Sequence, residues 1–450
     1  MVALAAHPEL KATGRGSHEQ PPVIVLNMFH TGLGIAHQLW RTGVRVVGLS
    51  ADPHIFGNFT RACEVRPAPN SQDNPEQLLE FLLHIAAELE GAIVFPTRDA
   101  DILFLDRFRA DLEPVYKLAI PPRQVLFRTI NKSALAEAAV AANILTPQTT
   151  VVSTKAQLNR AMHAIGLPCV VKPTCSIHWR QDNNWTRLGA RKAFRADTPE
   201  ELRRLYDRVS LVHSEILLQE WIPGEDNQLA IWGGYVSDHG FPMAYFTARK
   251  IVQSPSGFGT GCVVETDCLP ELHGMSLTLC RALHYCGIAE IEYKLDPRDG
   301  HFKLIEMNPR HWDWHELGQA CRVNLTWAAY RSLTGLSHRP MVPTSRRAQW
   351  IAEDALLMYG ASSACQGNFR WLRPILAMVG RQSFSIFSWR DPMPFVRYFL
   401  CTLLPRLARA ALRKVRVLYT GARTDENRIR IIRARPSHVH SETDRGVTRG

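Results

Sequence analysis

The chain of 450 residues carries 46% hydrophobic and 21% charged residues, a balance that excludes a disordered or fibrous protein. Its length predicts about three domains or lobes. The net charge of +11 is lopsided: between residues 390 and 435, twelve Arg or Lys face three acids, nine of the eleven charges, so the body is close to neutral and no nucleic-acid partner is expected.

Ten cysteines are scattered without a Cys-x-x-Cys pair, no secretory signal precedes them, and no run of about 18 apolar residues could span a bilayer. A cytoplasmic protein with reduced thiols is expected. Residues 1–20 and 436–450 read as loose tails.

After Pro21-Pro22 come VIVLN, a turn with Gly32 and Gly34, a helical stretch to Arg41, and VRVVGLS, which together predict a β-α-β unit. The strand-sized runs AIVFP and KLAIP alternate with helical patterns such as PEQLLEFLLHIAAELE, so a parallel sheet with helices on both faces is expected over residues 21–130. Gly32 and Gly34 form only part of a dinucleotide fingerprint, because His37 and Gln38 stand where a third glycine would fall. Nicotinamide binding is not expected.

Residues 131–335 change character. NKSALAEAAVAA and KAQLNRAMHAIG read as helices, TTVVS and CVVKP as strands. From residue 215 to 308 the strands are longer and more numerous (EILLQEWI, QLAIWGGYV, FPMAYFTARKI, AEIEYKL, FKLIEMN), with one helix near 271–286. This predicts an antiparallel α+β lobe, followed over 336–435 by a mostly helical, basic region. The fold class expected is α/β joined to α+β.

The stretch HFKLIEMNPRHWDWHE, residues 301–316, carries the chemistry. Strand alternation puts Leu304, Glu306 and Asn308 on one face, and Glu290, Glu292 and Lys294 on one face of the strand before it. The turn DPRDG, if the hairpin closes about residue 299, sets Glu292 opposite Glu306. Like charges directly opposed destabilise a sheet. A divalent cation between them reverses that sign, Asn308 adds a third oxygen, and hard oxygen donors suit Mg²⁺ or Mn²⁺. Solvated carboxylates on an open sheet face would give the same periodicity.

With Glu292 followed by Glu306-Met307-Asn308-Pro309-Arg310, the sequence resembles the ATP-grasp ligase superfamily over roughly residues 22–335. The resemblance implies a Rossmann-like first domain packed over the active site of a two-lobed ATP-grasp domain. It implies that Glu292, Glu306 and Asn308 hold Mg²⁺ on the phosphates of ATP, with Arg310 beside the transferred phosphoryl group. It further implies that Lys132 and Lys172 contact the nucleotide, that Glu220, Trp221 and Ile222 form the adenine-side hinge, and that Lys192 is an additional contact. Arg249 and Lys250, ahead of the glycines of FTARKIVQSPSGFGTG, resemble a segment facing phosphates and the carboxylate substrate; a basic surface turn is the alternative. Where many family members carry a small Gly- and Ser-rich loop after the second lysine, this chain has the bulky TCSIHWRQDNNWTRLGARK.

His311 and His315 are spaced for one helix face, but no third zinc ligand is in view. HWDWHELG is expected to wall the acceptor pocket or to pack between lobes. Over 405–418, Leu404, Leu407, Ala411, Val415 and Leu418 oppose Arg406, Arg409, Arg413 and Arg416, so the basic 390–435 segment either lies on an anionic membrane surface or docks on the body. The functional expectation is a ligase that uses ATP and Mg²⁺ to activate a carboxylate as an acyl phosphate and join it to an amine; a homo-oligomer is compatible with it. The alternatives are a thiol or hydroxyl acceptor, a biotin-type carboxylation, against which the chain carries no biotinyl segment, and a non-catalytic ATP-binding scaffold on a membrane.

Overall fold

A computed structural model describes residues 20–180, 183–254, 257–337, 339–356, 380–406 and 408–409. The chain up to Phe395 is one compact unit, and Val396 begins a second whose described residues are helical. Most of the amphipathic stretch expected over 405–418, and the tails, lie outside the described residues. Among the described residues no helix is long and apolar enough to cross a membrane, and the nine cysteines are free thiols.

The first domain is a five-stranded parallel sheet in the order β3-β2-β1-β4-β5, built from β1 (Val23–Leu26), β2 (Val46–Ser50), β3 (Glu64–Pro67), β4 (Ile93–Phe95) and β5 (Lys117–Leu118). Helices α1 (His30–Leu39), α2 (Pro75–His84) and α3 (Asp99–Arg107) cover it. Both faces of β1 are buried, which explains its unbroken apolar run. Ile24 and Leu26 pack on Leu78, Leu82 and Ile102, whereas Val23 and Val25 share a core with Phe246, Trp312 and Trp314 of the next domain. Each large apolar side chain so buried contributes about 1.5–3 kcal/mol, so the two domains are held as one body.

The second domain has two sheets. A four-stranded antiparallel sheet, β6-β9-β7-β8, uses β6 (Thr149–Val152), β7 (Cys169–Pro173), β8 (Phe194–Ala196) and β9 (Ile216–Glu220). A seven-stranded sheet in the order β14-β13-β10-β11-β12-β15-β16 uses β10 (Leu229–Val236), β11 (Pro242–Ser254), β12 (Thr260–Thr266), β13 (Gly287–Leu295), β14 (Phe302–Asn308), β15 (Ala348–Ile351) and β16 (Arg381–Phe384). The last two strands lie within the region after residue 335 for which helix was expected, most of which is outside the described residues. β15 pairs antiparallel with β12 and β16 parallel with β15, so the sheet continues past the anticipated boundary. Four-residue strands that complete an existing edge carry too little periodicity to be read alone.

Candidate active site

The β13–β14 hairpin has the anticipated pairing, with Glu292 opposite Glu306 and Glu290 opposite Asn308. The alternation along β14 breaks, however. Tyr293 pairs with Leu304, one position out of register, so Ile305 is the extra residue of a β-bulge. Leu304 therefore does not share the face of Glu306, as strict alternation required; it joins Met307 and Tyr293 in the core while Ile305, Glu306 and Asn308 line a cleft. The bulge lets two core residues three apart both reach the interior.

Lysines converge on these acids. Lys250, on β11, places Nζ 2.6 Å from Glu292 Oε1, and Lys132, at the start of the helix Lys132–Ala141, places Nζ 3.0 Å from Glu306 Oε2. Asn131 caps that helix, its side chain accepting from the backbone of Ser133 and Ala134, which fixes where Lys132 leaves the chain. Lys172 sits on β7, its Nζ donating to Gln219 Oε1 at 2.8 Å, and Gln219 in turn donates to Thr149. Burial, reinforced by Lys132, pushes the Lys172 ammonium down to about 7. Burial likewise lowers Lys192, whose Nζ lies 3.4 Å from Thr260 Oγ1. Lys132, then Lys192, Lys250 and Lys172, hold the Glu306 carboxyl far below the carboxylate range against its burial.

Glu290 behaves oppositely. Burial and then Glu292 push its carboxyl up to about 8, and its partner is the amide of Asn308, which donates at 2.9 Å. Glu290, Glu292, Glu306 and Asn308 are thus adjacent oxygen donors on one strand pair, one of them short of positive charge. Among the described residues no three His, Cys, Asp or Glu side chains form a metal cage by themselves. The set fits instead an ion such as Mg²⁺ that keeps part of its shell for phosphate oxygens.

An apolar slot formed by Pro147, Val170, Ile222, Leu229 and Ile305 continues the cleft. At its edge Glu220 accepts from Arg298 and from the Gln148 backbone N–H, so its carboxylate is held by the chain itself. Trp221 lies between Arg195 and Lys294, 4.7 and 4.8 Å from its ring centroid, and meets Phe258 edge-on. The Ile222 carbonyl accepts from Lys294 at 2.9 Å. The bulky segment after Lys172 folds into the short helices Ser176–Arg180 and Asn184–Arg187. It buries Trp179 and sends Arg180 to the cleft.

Arg310 is anchored across domains: its Nε donates to Asp99 Oδ1 at 2.7 Å, at the start of α3, and Nη1 to the His311 carbonyl at 3.0 Å. Arg249 is a correction. It neighbours Lys250 on β11, and alternation sends it to the other face, where Nε donates to Asp267 at 2.8 Å beside a separate cavity lined by Tyr245, Thr247 and Cys268. The structure does not bring Arg249 to the cleft.

His311 and His315 are fully buried, their rings in edge contact at 4.7 Å. His311 Nε2 bonds Thr326 Oγ1 and His315 Nδ1 bonds the Trp312 carbonyl. Burial lowers both, His315 to about 4, so they are neutral packing groups. Trp312 and Trp314 belong to the interdomain core, the packing alternative for HWDWHELG, and also line the cleft.

The first domain contributes residues that were not anticipated: Asn27, Phe29, Thr31, Arg98 and Asp99 line the cleft. Asn27 ends β1 with φ +73°, and a Cβ on Gly32 would lie 2.0 Å from its carbonyl oxygen. A Cβ on Gly34 would lie 2.7 Å from His315. These glycines permit close packing and have no need of a dinucleotide. Glu290 was legible as the face-mate of Glu292; the loop residues carried no signal of their own.

Residues 247–320 match the family model described as carbamoyl-phosphate synthase L chain, ATP binding domain. A D-aspartate ligase of Enterococcus faecium is 27% identical over 190 residues; the match covers 41% of this chain, which spans only 44% of that relative. An ADP complex of N5-carboxyaminoimidazole ribonucleotide synthetase superposes with a TM-score of 0.59 at 14% identity, over 77% of this chain and 85% of the other. The biotin carboxylase domain of Hydrogenobacter thermophilus 2-oxoglutarate carboxylase, bound to MgADP and bicarbonate, does so with a TM-score of 0.57 at 15% identity, over 73% and 72%. The chain has the ATP-grasp fold, in its α/β plus α+β arrangement. Over 190 residues its sequence is also similar to that of a D-aspartate ligase.

Proposed function

We propose that the protein is an ATP- and Mg²⁺-dependent ligase that converts a substrate carboxylate to an acyl phosphate and joins it to an amine, releasing ADP and phosphate. The observation that carries this reading is the Glu292–Glu306 pair, opposed across a hairpin and ringed by Lys132, Lys172, Lys192 and Lys250. Such a cluster of fixed cations beside oxygen donors suits a polyphosphate and its metal.

In this reading Glu292, Glu306, Asn308 and the neighbouring Glu290 would hold Mg²⁺, which supplies charge neutralisation on the phosphates. Lys132, Lys172 and Lys192 bind phosphate oxygens. The hinge of Glu220, Trp221 and Ile222 takes the adenine, whose rings enter the apolar slot. Arg310, fixed by Asp99, and Lys250 stabilise the charge that develops as the carboxylate oxygen attacks the terminal phosphorus and ADP departs. Attack of the amine on the acyl carbon then expels phosphate. The protein acts by positioning and electrostatics, and no side-chain nucleophile is required.

The test is a pairwise screen of amino acids with Mg·ATP, D-aspartate included as a carboxylate because of the relative above, following ADP and phosphate together. Substrate-dependent release of both, lost on Glu306→Ala, is expected. Release that survives Glu306→Ala defeats the assignment.

A further inference from the structure

Six carboxylates line the cleft, and among the described residues four of them are neutralised by arginine or lysine: Asp99 by Arg310, Glu220 by Arg298, Glu292 by Lys250 and Glu306 by Lys132. Glu290 belongs to the metal end. Asp313 is the remaining one. It lies three residues beyond Arg310, on the wall shared with the first domain. Its Oδ1 accepts from Thr31 Oγ1 at 2.9 Å, and no cation stands within ion-pair distance among the described residues. Arg310 feels the charge of Asp313 but pairs directly with Asp99, so Asp313 can take a cationic group of a ligand as its direct partner.

Its surroundings narrow the ligand. Trp312 and Trp314 flank it in sequence and line the cleft, and Phe29, 46% exposed, faces the same space from the first domain. The wall thus offers one anion and, at Phe29, exposed aromatic surface.

We infer that Asp313 receives the amino group of the acceptor, and that the acceptor is a primary amine on an apolar body. The amine rests on Asp313 and the apolar body lies against Phe29. Thr31 is a positioning residue, tying α1 to the turn after β14. The inference rests on the ligase reading above, which assigns the opposite end of the cleft to ATP.

The test measures binding without turnover. Phenylalaninamide in both enantiomers and 3-phenylpropanamide, which lacks only the amine, are titrated calorimetrically into the full-length protein saturated with Mg·ADP. Wild type is expected to bind one enantiomer of the amine at least tenfold more tightly than the deaminated analogue. Asp313→Asn should erase that preference while leaving Mg·ADP affinity unchanged, and Asp313→Glu should keep part of it. Equal binding of amine and analogue by wild type, or a preference that survives Asp313→Asn, overturns the assignment. Absence of ADP release by wild type with every substrate pair would instead defeat the ligase reading, and does not enter this measurement.

Discussion

Replacing Glu306 by Gln removes one negative charge and almost no volume. Glu306 is the principal counter-ion of Lys132 at 3.0 Å and also holds Lys172, Lys192 and Lys250 together electrostatically. Breaking a buried pair by neutralising one partner costs about 3–5 kcal/mol. Because the side chain of Glu306 is 26% exposed and that of Lys132 is 12% exposed, solvent screens part of this, and about 2 kcal/mol is expected. The second consequence is larger. With ligand at about 100 times its dissociation constant, wild type should gain about 2.7 kcal/mol from Mg·ATP. The variant should gain little of that, and its ADP release should fall by about 10² or more, the scale for losing one preorganised electrostatic contact at a reacting centre. Thermal denaturation with and without Mg·ATP, alongside coupled ADP detection, reads both effects. Magnesium-dependent nucleotide stabilisation that persists unchanged in Glu306→Gln would refute the placement of the metal.

Arg249 and Lys250 provide an internal contrast. Lys250→Ala strips the cation from Glu292 and should abolish turnover, whereas Arg249→Ala loses the Asp267 pair, a bond to the Asn227 carbonyl and a contact over Phe302, all away from the cleft, and should keep turnover at a stability change of about 1 kcal/mol; steady-state ADP release and urea denaturation check both. Gly32→Ala forces a Cβ to within 2.0 Å of the Asn27 carbonyl oxygen and should destabilise the protein by about 3 kcal/mol, seen as a lower denaturation midpoint. The buried contact of His37 with Asp391, 3.0 Å long, predicts a pH profile of stability. Burial opposes the charge on His37, but Asp391 and Glu316 prevail and raise it, while His37 and Thr60 hold Asp391 low against its own burial. The stabilisation is therefore present below the ordinary histidine pKa of about 6.5 and is lost as pH rises through the elevated value. On the acid side it is lost as pH falls through the depressed Asp391 value. Melting temperatures from pH 3 to 9 should show both limbs in wild type, and His37→Gln should flatten the alkaline one.

The residues led to the expectation of two opposed acids across the β13–β14 hairpin but left metal ligands and solvated carboxylates as alternatives, and it was the family resemblance that implied a metal. Glu292 and Glu306 are opposed as a turn centred on residue 299 requires, but next to the turn Leu295 pairs with Phe302 and Tyr293 with Leu304, half a residue off that centre, and the bulge at Ile305 restores the opposition. The first domain's alternation of strand and helix was equally local. Leu304 and Arg249 show where local reasoning fails. One inserted residue in β14 turns Leu304 into the core, and the face of β11 that meets the cleft is chosen by its neighbours β10 and β12, not by the sequence RK. The strands β15 and β16 exist because β12 offers an open edge.

Sequence by itself determined which residue types could bind phosphate and metal, because periodicity and charge act between near neighbours. For the acceptor end it offered only the stretch HWDWHELG, as a pocket wall or as packing between lobes. Thr31 and Asp313 are 282 residues apart, and Asp99 and Arg310 are 211 apart. Only the burial of β1 and the two tryptophans in one core brings those pairs together, so that end of the cleft was decided by tertiary packing alone.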